Sequence, residues 1–244
     1  MATLPRLDRE CQHCQEGNGI CNAEAIGVTT SVAHEVFVRC APASPSGSAE
    51  EQARRFYDCL PRLLDAQGAT MHDVVLERVF FRDLRTDAQM FRQTRDEAYL
   101  LAGIARDRMP ALSCIEQPPC RPNQAFEMQL YAITSAGDSQ VKVHSFAPTP
   151  YGATAKLVEA GGYEHLYIAN INGCNDNGHP RGSFREQSDR MFERSANLLR
   201  KQGIDFRKVL RTWCYLDDID QDYDEFNRSR NEFFQQLEVQ RLPA

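Results

Sequence analysis

One stretch of this chain occurs twice. Sliding residues 51–99 onto residues 186–234, a shift of 135 positions, brings thirteen identical pairs into register. They include Gln52 with Gln187, Arg55 with Arg190, Leu63 and Leu64 with Leu198 and Leu199, Gly68 with Gly203, Asp83 with Asp218, Phe91 with Phe226, and Arg95 with Arg230. Average residue usage would give roughly three matches over such a length. A unit this long is a whole domain rather than one turn of a solenoid. Any fold assigned to one copy must therefore also serve the other. After the repeat, Arg108, Met109, Pro110 and Ala111 run on into Leu112, Ser113 and Cys114, whereas Arg241, Leu242, Pro243 and Ala244 are the last residues given. The second copy is expected to lack its closing strands.

A length of 244 residues accommodates two such domains, and 42% hydrophobic residues suffice for a core in each. The net charge of −6 provides no basic field for phosphate backbones, so nucleic acid is not a favoured partner. No apolar run reaches the roughly 18 residues of a membrane span, and Met1 to Glu10 lacks the apolar core of a secretion signal. The number of cysteines is odd, nine, and Cys40, Cys59, Cys114 and Cys214 sit in apolar stretches where a reduced thiol packs as a small hydrophobe. A reducing, cytoplasmic setting is expected.

Both copies read as the same series of elements. Short β-rich runs, Val36 to Cys40 and Leu166 to Asn170, each lead into a polar loop. A helix follows, with Phe56, Leu60, Leu63 and Leu64 on one stripe in the first copy and Phe192, Ala196 and Leu199 in the second. Gly68 and Gly203 stand where each helix pattern stops. The runs Val74 to Phe81 and Val209 to Leu216 read as strands, and a second helix is expected after Asp87 or Asp222, burying Phe91 and Tyr99 or Phe226 and Phe234. The first copy alone shows two further strands, Ala111 to Gln117 and Phe126 to Ile133, separated by a proline-rich turn. The fold class is α+β: two tandem domains, each a β-sheet with two helices on one face. The boundaries are a cysteine-containing arm over 1–26, a first domain over 27–137, a link over 138–154 and a second domain over 155–244.

This series resembles the Rid (YjgF, imine deaminase) superfamily, whose domains show a polar turn, a Gln-led helix ending in Gly, a Val-rich strand, an Asp-Leu or Asp-Ile step and a Pro-Ala before the closing strands. The resemblance implies a Rid-like α+β fold, a homotrimer with pockets between domains, and a small-molecule carboxylate as substrate or ligand, with no cofactor. Members that hydrolyse 2-imino acids hold the substrate carboxylate with an arginine directly after Pro-Ala. Here that position is Leu112, which has no donor. Cys114 matches a cysteine of the family pattern, and Gln129 stands where such enzymes often carry a glutamate; a carboxamide orients water but is a very poor base. The stretches Arg211 to Ile219 and Tyr223 to Arg230 are also similar to the chorismatase branch, which makes a hydrolase or lyase with its site in the second copy the alternative. A third reading is a non-catalytic metabolite-binding module.

The candidate catalytic residues are thus Cys114 and Gln129, and the candidate ligand-binding residues are Arg39, Leu112, Glu127, Asn170 and Asn172. Two thiolates spaced as Cys11 and Cys14 could bite one zinc ion with His13, Cys21 or a remote His34, but no second such pair exists, and no metal site is expected. The acidic run Asp217 to Glu225 has Tyr223 and Ser229 where a calcium loop needs Gly and Glu, so it reads as a solvated helix start.

Overall fold

A computed structural model describes residues 21–42 and 46–238. Among them are eight strands and four helices, an α+β architecture, and the chain divides into two compact units. Among the described residues, the first unit comprises 21–42, 46–147 and 154–169, and the second 148–153 and 170–238.

Alternation in the strands builds the first unit. Strands β1 (Cys21–Thr29), β2 (Ala33–Pro42), β3 (Val74–Phe81), β4 (Ala111–Glu116) and β5 (Phe126–Ser135) form one sheet in the order β1-β2-β5-β3-β4. All neighbours are antiparallel except β3 with β4. Val36, Val38 and Cys40 of β2, Met128 and Leu130 of β5, and Val79 and Phe81 of β3 turn to one face and are buried. On that face lie helices α1 (Ala49–Asp65) and α2 (Leu84–Leu101), which contribute Phe56, Leu60, Leu63, Leu64, Phe91 and Tyr99. Phe56 and Leu60 are fully buried, and each such side chain stabilises the fold by roughly 1.5–3 kcal/mol.

The other face of this sheet is covered over part of its area only. Strands β6 (Val141–Phe146), β7 (Thr154–Ala160) and β8 (Tyr163–Ala169) form an antiparallel sheet whose Val158 and Ala160 pack against Val75, Tyr131 and Ile133. Strand β6 lies within the stretch expected as a link, and β1 starts at Cys21, inside the expected arm.

The second unit contains α3 (Phe184–Lys201) and α4 (Ile219–Gln236), joined by an aromatic cluster of Phe192, Phe206, Phe226, Phe233 and Phe234 with ring centroids 5.0–6.0 Å apart. The stretch Val209 to Leu216, expected as a strand, forms none. A strand needs neighbours to satisfy its backbone. In the first copy β3 lies between β5 and β4, and no such pair stands beside residues 209–216 among the described residues. Leu210 and Trp213 are consequently 75% and 51% exposed.

The repeat is most exact at helix starts. Ser48 and Ser183 each cap a helix by accepting from the N–H of Glu51 or Glu186, whose carboxylates accept from the serine N–H in return. Before each cap stands a glycine with positive φ, Gly47 at 89° and Gly182 at 84°, and a Cβ there would collide with the capping carboxylate. Gln52 and Gln187 both donate to those glycine carbonyls, at 3.1 and 3.2 Å. The second helices start earlier than expected, at Leu84 and Ile219, because Asp83 and Asp218 rather than Asp87 and Asp222 are the caps, accepting from Thr86 and Gln221 N–H groups at 3.0 Å.

Candidate functional site

The strand registers decide which candidate residues can meet. Gln129 of β5 lies opposite Arg39 of β2 on one side and Arg78 of β3 on the other; Arg39 is in turn opposite Glu24, and Arg78 opposite Ser113. Glu24, Arg39, Gln129, Arg78 and Ser113 thus form a polar row across the sheet, on the face away from α1 and α2. Glu127 shares this face two residues from Gln129. Its carboxylate accepts two hydrogen bonds from the Arg39 guanidinium, at 2.7 and 3.2 Å, which raises the Arg39 pKa further. Arg78 donates to the Gln129 side-chain oxygen at 3.4 Å.

A cleft of about 130 Å³ opens beside the Arg39–Glu127 pair, lined also by Glu24, Cys120, Arg121 and Gln124. One wall is the proline-rich turn. Arg82 pins that turn by donating to the carbonyls of Pro119, Arg121 and Gln124, at 3.1, 2.8 and 3.0 Å. Gln124 donates to the Pro42 carbonyl at 2.9 Å, and the Ala125 N–H donates to Gln52 at 3.0 Å. The repeated glutamine therefore ties a helix start to the cleft wall.

Leu112 and Cys114 lie elsewhere. They pair with Glu77 and Val79 of β3, so they face the helices. Burial pushes the Cys114 thiol up, against the opposing pull of the Arg92 guanidinium. Asn170 and Asn172 belong to the second unit, where they shape a turn. Asn170, at φ 60°, donates to the Gly152 carbonyl at 3.1 Å; Asn172 donates to the Tyr151 carbonyl at 3.2 Å and accepts from the Cys174 N–H at 3.1 Å. Within the first unit Arg39, Glu127 and Gln129 converge, and Leu112 and Cys114 lie on the opposite face.

Cys11, His13 and Cys14 lie outside the described residues, and among those described no group of three metal-ligating side chains comes together. No helix among them is long and apolar enough to cross a membrane. Cys40 and Cys59 are buried and in no disulfide, whereas Cys214 is exposed on the unpaired stretch.

Two groups carry no clear signal in the sequence. Arg78 and Glu24 join the row only through strand register. Glu77 is fully buried on the helix side, where it accepts from Arg95 at 2.5 Å, Tyr99 at 2.8 Å and Tyr57 at 3.2 Å, while Arg95 also donates to the Pro110 carbonyl at 2.8 Å. Arg95 is visible as a repeated residue, but its acid is not: the positions matching Glu77, Tyr57 and Tyr99 hold Thr212, Phe192 and Phe234. A shallow groove of about 660 Å³ along the outer face of α2, among Arg85, Arg92, Asp96 and Arg106, has part of its charge paired internally, Asp96 with Arg106 at 2.5 Å and with Arg95 at 3.1 Å.

No protein-family model matches the sequence, and no curated protein matches it. The solved structures that match the chain include YjgF (Rid) family proteins, each over less than half its length. TdcF of E. coli with bound serine matches at 20% identity and a TM-score of 0.39, over 45% of this chain and 86% of its own. A YjgF family member from Neisseria meningitidis matches at 23% identity and a TM-score of 0.37, over 48% and 98%. Yeast Mmf1 matches at 20% identity and a TM-score of 0.36, over 45% and 98%.

Proposed function

We propose that the first copy binds a small carboxylate metabolite on its open sheet face, with Arg39 and Arg78 as cations and Glu127 and Gln129 as groups that orient water. The row Arg39, Gln129, Arg78 beside the Glu127 carboxylate carries this reading. Guanidinium groups on both sides of a carboxamide suit a planar carboxylate. A carboxylate fixed by an ion pair can hold a water for attack on an adjacent C=N carbon. In hydrolysis of a 2-imino acid that water would add to the carbon, its protons would pass to nitrogen, and ammonia would leave a 2-oxo acid. With Leu112 in place of a donor, such activity is expected to be weak and binding to be the main property.

The homotrimer is carried by the resemblance to the Rid family; in such an assembly Leu112 and Cys114 could join Arg39 and Glu127 in one pocket only if β4 of one domain meets the open face of another. The buried reduced thiols are consistent with a cytoplasmic setting.

Calorimetric titration with 2-oxobutyrate and an ammonia-release assay on 2-iminobutyrate test the reading. Binding that Arg39→Ala weakens at least about tenfold supports it, in line with the loss of a charge-assisted bidentate contact. Absence of both binding and turnover refutes it, and turnover of chorismate instead would move the activity to the second copy.

A further inference from the structure

Only four of the twenty-eight cationic residues are lysines: Lys142, Lys156, Lys201 and Lys208. Three are exposed, whereas Lys156 is 3% exposed. It stands on β7 two residues after Thr154, on the same face of the strand, where β7 comes against β4 and the Leu112 N–H donates to the Thr154 hydroxyl at 3.3 Å. The Lys156 nitrogen donates to the Arg108 carbonyl at 2.8 Å and to the Ser145 hydroxyl at 2.6 Å.

Neither acceptor carries charge, and among the described residues Lys156 has no ion pair. The nearest charges from the packed elements are mostly of its own sign: Arg95 of α2 and Arg108 oppose its ammonium form, Asp107 alone favours it. Burial is the largest influence, and together these lower its pKa to about 8. Of the two residues that hold the amine, Arg108 is exposed and Ser145 half-buried. The Arg108 guanidinium makes no ion pair among the described residues.

We propose that Lys156 is a carbonyl-reactive amine, and that the seam between β4, β6 and β7 accepts a small 2-oxo acid whose carboxylate rests on the Arg108 guanidinium. The neutral amine attacks the carbonyl carbon, and the proton it sheds passes to the carbonyl oxygen, giving a carbinolamine. Loss of that hydroxyl as water leaves an imine between Lys156 and the ligand, one water being released per molecule bound. A desolvated amine beside guanidinium groups is the environment in which a lysine becomes a nucleophile at neutral pH. This site is separate from the Arg39–Glu127 cleft and does not depend on the reading given to it.

The test is trapping with sodium borohydride. The full chain is incubated with 2-oxobutyrate at about pH 8, where a neutral fraction near one half exceeds that of a surface lysine by roughly a hundredfold. Reduced adducts are then located by peptide mass spectrometry. The expected result is one adduct, on Lys156, at least about ten times more abundant than on Lys142, Lys201 or Lys208. Arg108→Gln should reduce the yield with 2-oxobutyrate by a larger factor than the yield with propanal, which has no carboxylate and loses only what the removed charge contributes to the neutral amine. Equal labelling of all four lysines, or labelling that spares Lys156, overturns the proposal. Because the unmodified chain alone distinguishes these outcomes, the test does not depend on the folding of any Lys156 variant.

Discussion

At the residue scale the sharpest contrast is between charges that are buried and charges that are not. Glu77 and Arg95 are both buried, and every oxygen of the Glu77 carboxylate is engaged. Replacing Glu77 with Leu leaves the Arg95 cation and two tyrosine hydroxyls without their acceptor, which is expected to cost about 3–5 kcal/mol of stability. Glu50→Ala, which breaks the exposed ion pair with Arg54, should cost below about 0.5 kcal/mol. Urea unfolding of the two variants decides it, and similar midpoints would show that the buried cluster is not a stabilising centre. Lys156 yields a prediction of opposite sign. Its folded pKa of about 8 lies below the unfolded value of about 10.4, so the unfolded chain binds more protons between those limits. Stability should therefore rise with pH across that window, the full cost being present below it. Comparison with Lys156→Met at about pH 7.5 and 9.5 cancels the contribution of the tyrosines, and a parallel pair of profiles would contradict the lowered pKa. Glu77 is illegible in the sequence because its partners come from two helices and its position is not repeated in the second copy, where Thr212 stands. Arg39 and Glu127 are legible because each is a charged residue at an alternating strand position.

At the scale of elements the repeat tells most. It locates both helices of each copy, their terminal glycines and their buried stripes, since 3.6-residue periodicity is a local property that a sequence displays directly. Strands are legible only as far as their neighbours exist. Val209 to Leu216 has the composition of a strand, yet its partners are absent among the described residues and it stays unpaired, whereas Val141 to Phe146 forms β6 because β7 lies alongside. The same contrast singles out the repeated glutamines. Gln52 bonds to the Gly47 carbonyl and accepts from the Ala125 N–H, so Gln52→Leu leaves a buried N–H and a carbonyl unpaired and should cost about 1–3 kcal/mol. Gln187 shows only the glycine bond, so Gln187→Leu should cost less. Thermal unfolding ranks the two. Because Ala125 leads into the strand bearing Glu127, Gln52→Leu should also weaken 2-oxobutyrate binding, and unchanged affinity would separate the cleft wall from the helix start.

At the scale of the whole molecule, the open face of the first sheet places functional groups beside exposed apolar ones. Phe37 and Ile26 are 46% and 48% exposed next to Arg39, and the Phe37 ring packs at a tilt against Tyr131 with centroids 5.1 Å apart. Exposed apolar side chains grouped around a polar row are the marks of a surface that meets another protein surface. Leu112 and Cys114, turned to the opposite face of the same sheet, can share a pocket with Arg39 only across such a contact. On the proposed homotrimeric reading, carboxylate binding is expected to follow association of chains. Phe37→Arg would set a charge in the middle of the contact while leaving Arg39, Arg78, Glu127 and Gln129 in place. The variant should sediment as a monomer and lose affinity for 2-oxobutyrate at least about tenfold, the loss of a desolvated contact being worth roughly 1.4 kcal/mol or more. Calorimetry and sedimentation on the same samples separate the outcomes. A monomeric variant that binds as tightly as the parent would place the whole site within one chain, and the cleft beside Arg39 and Glu127 would then be complete as it stands.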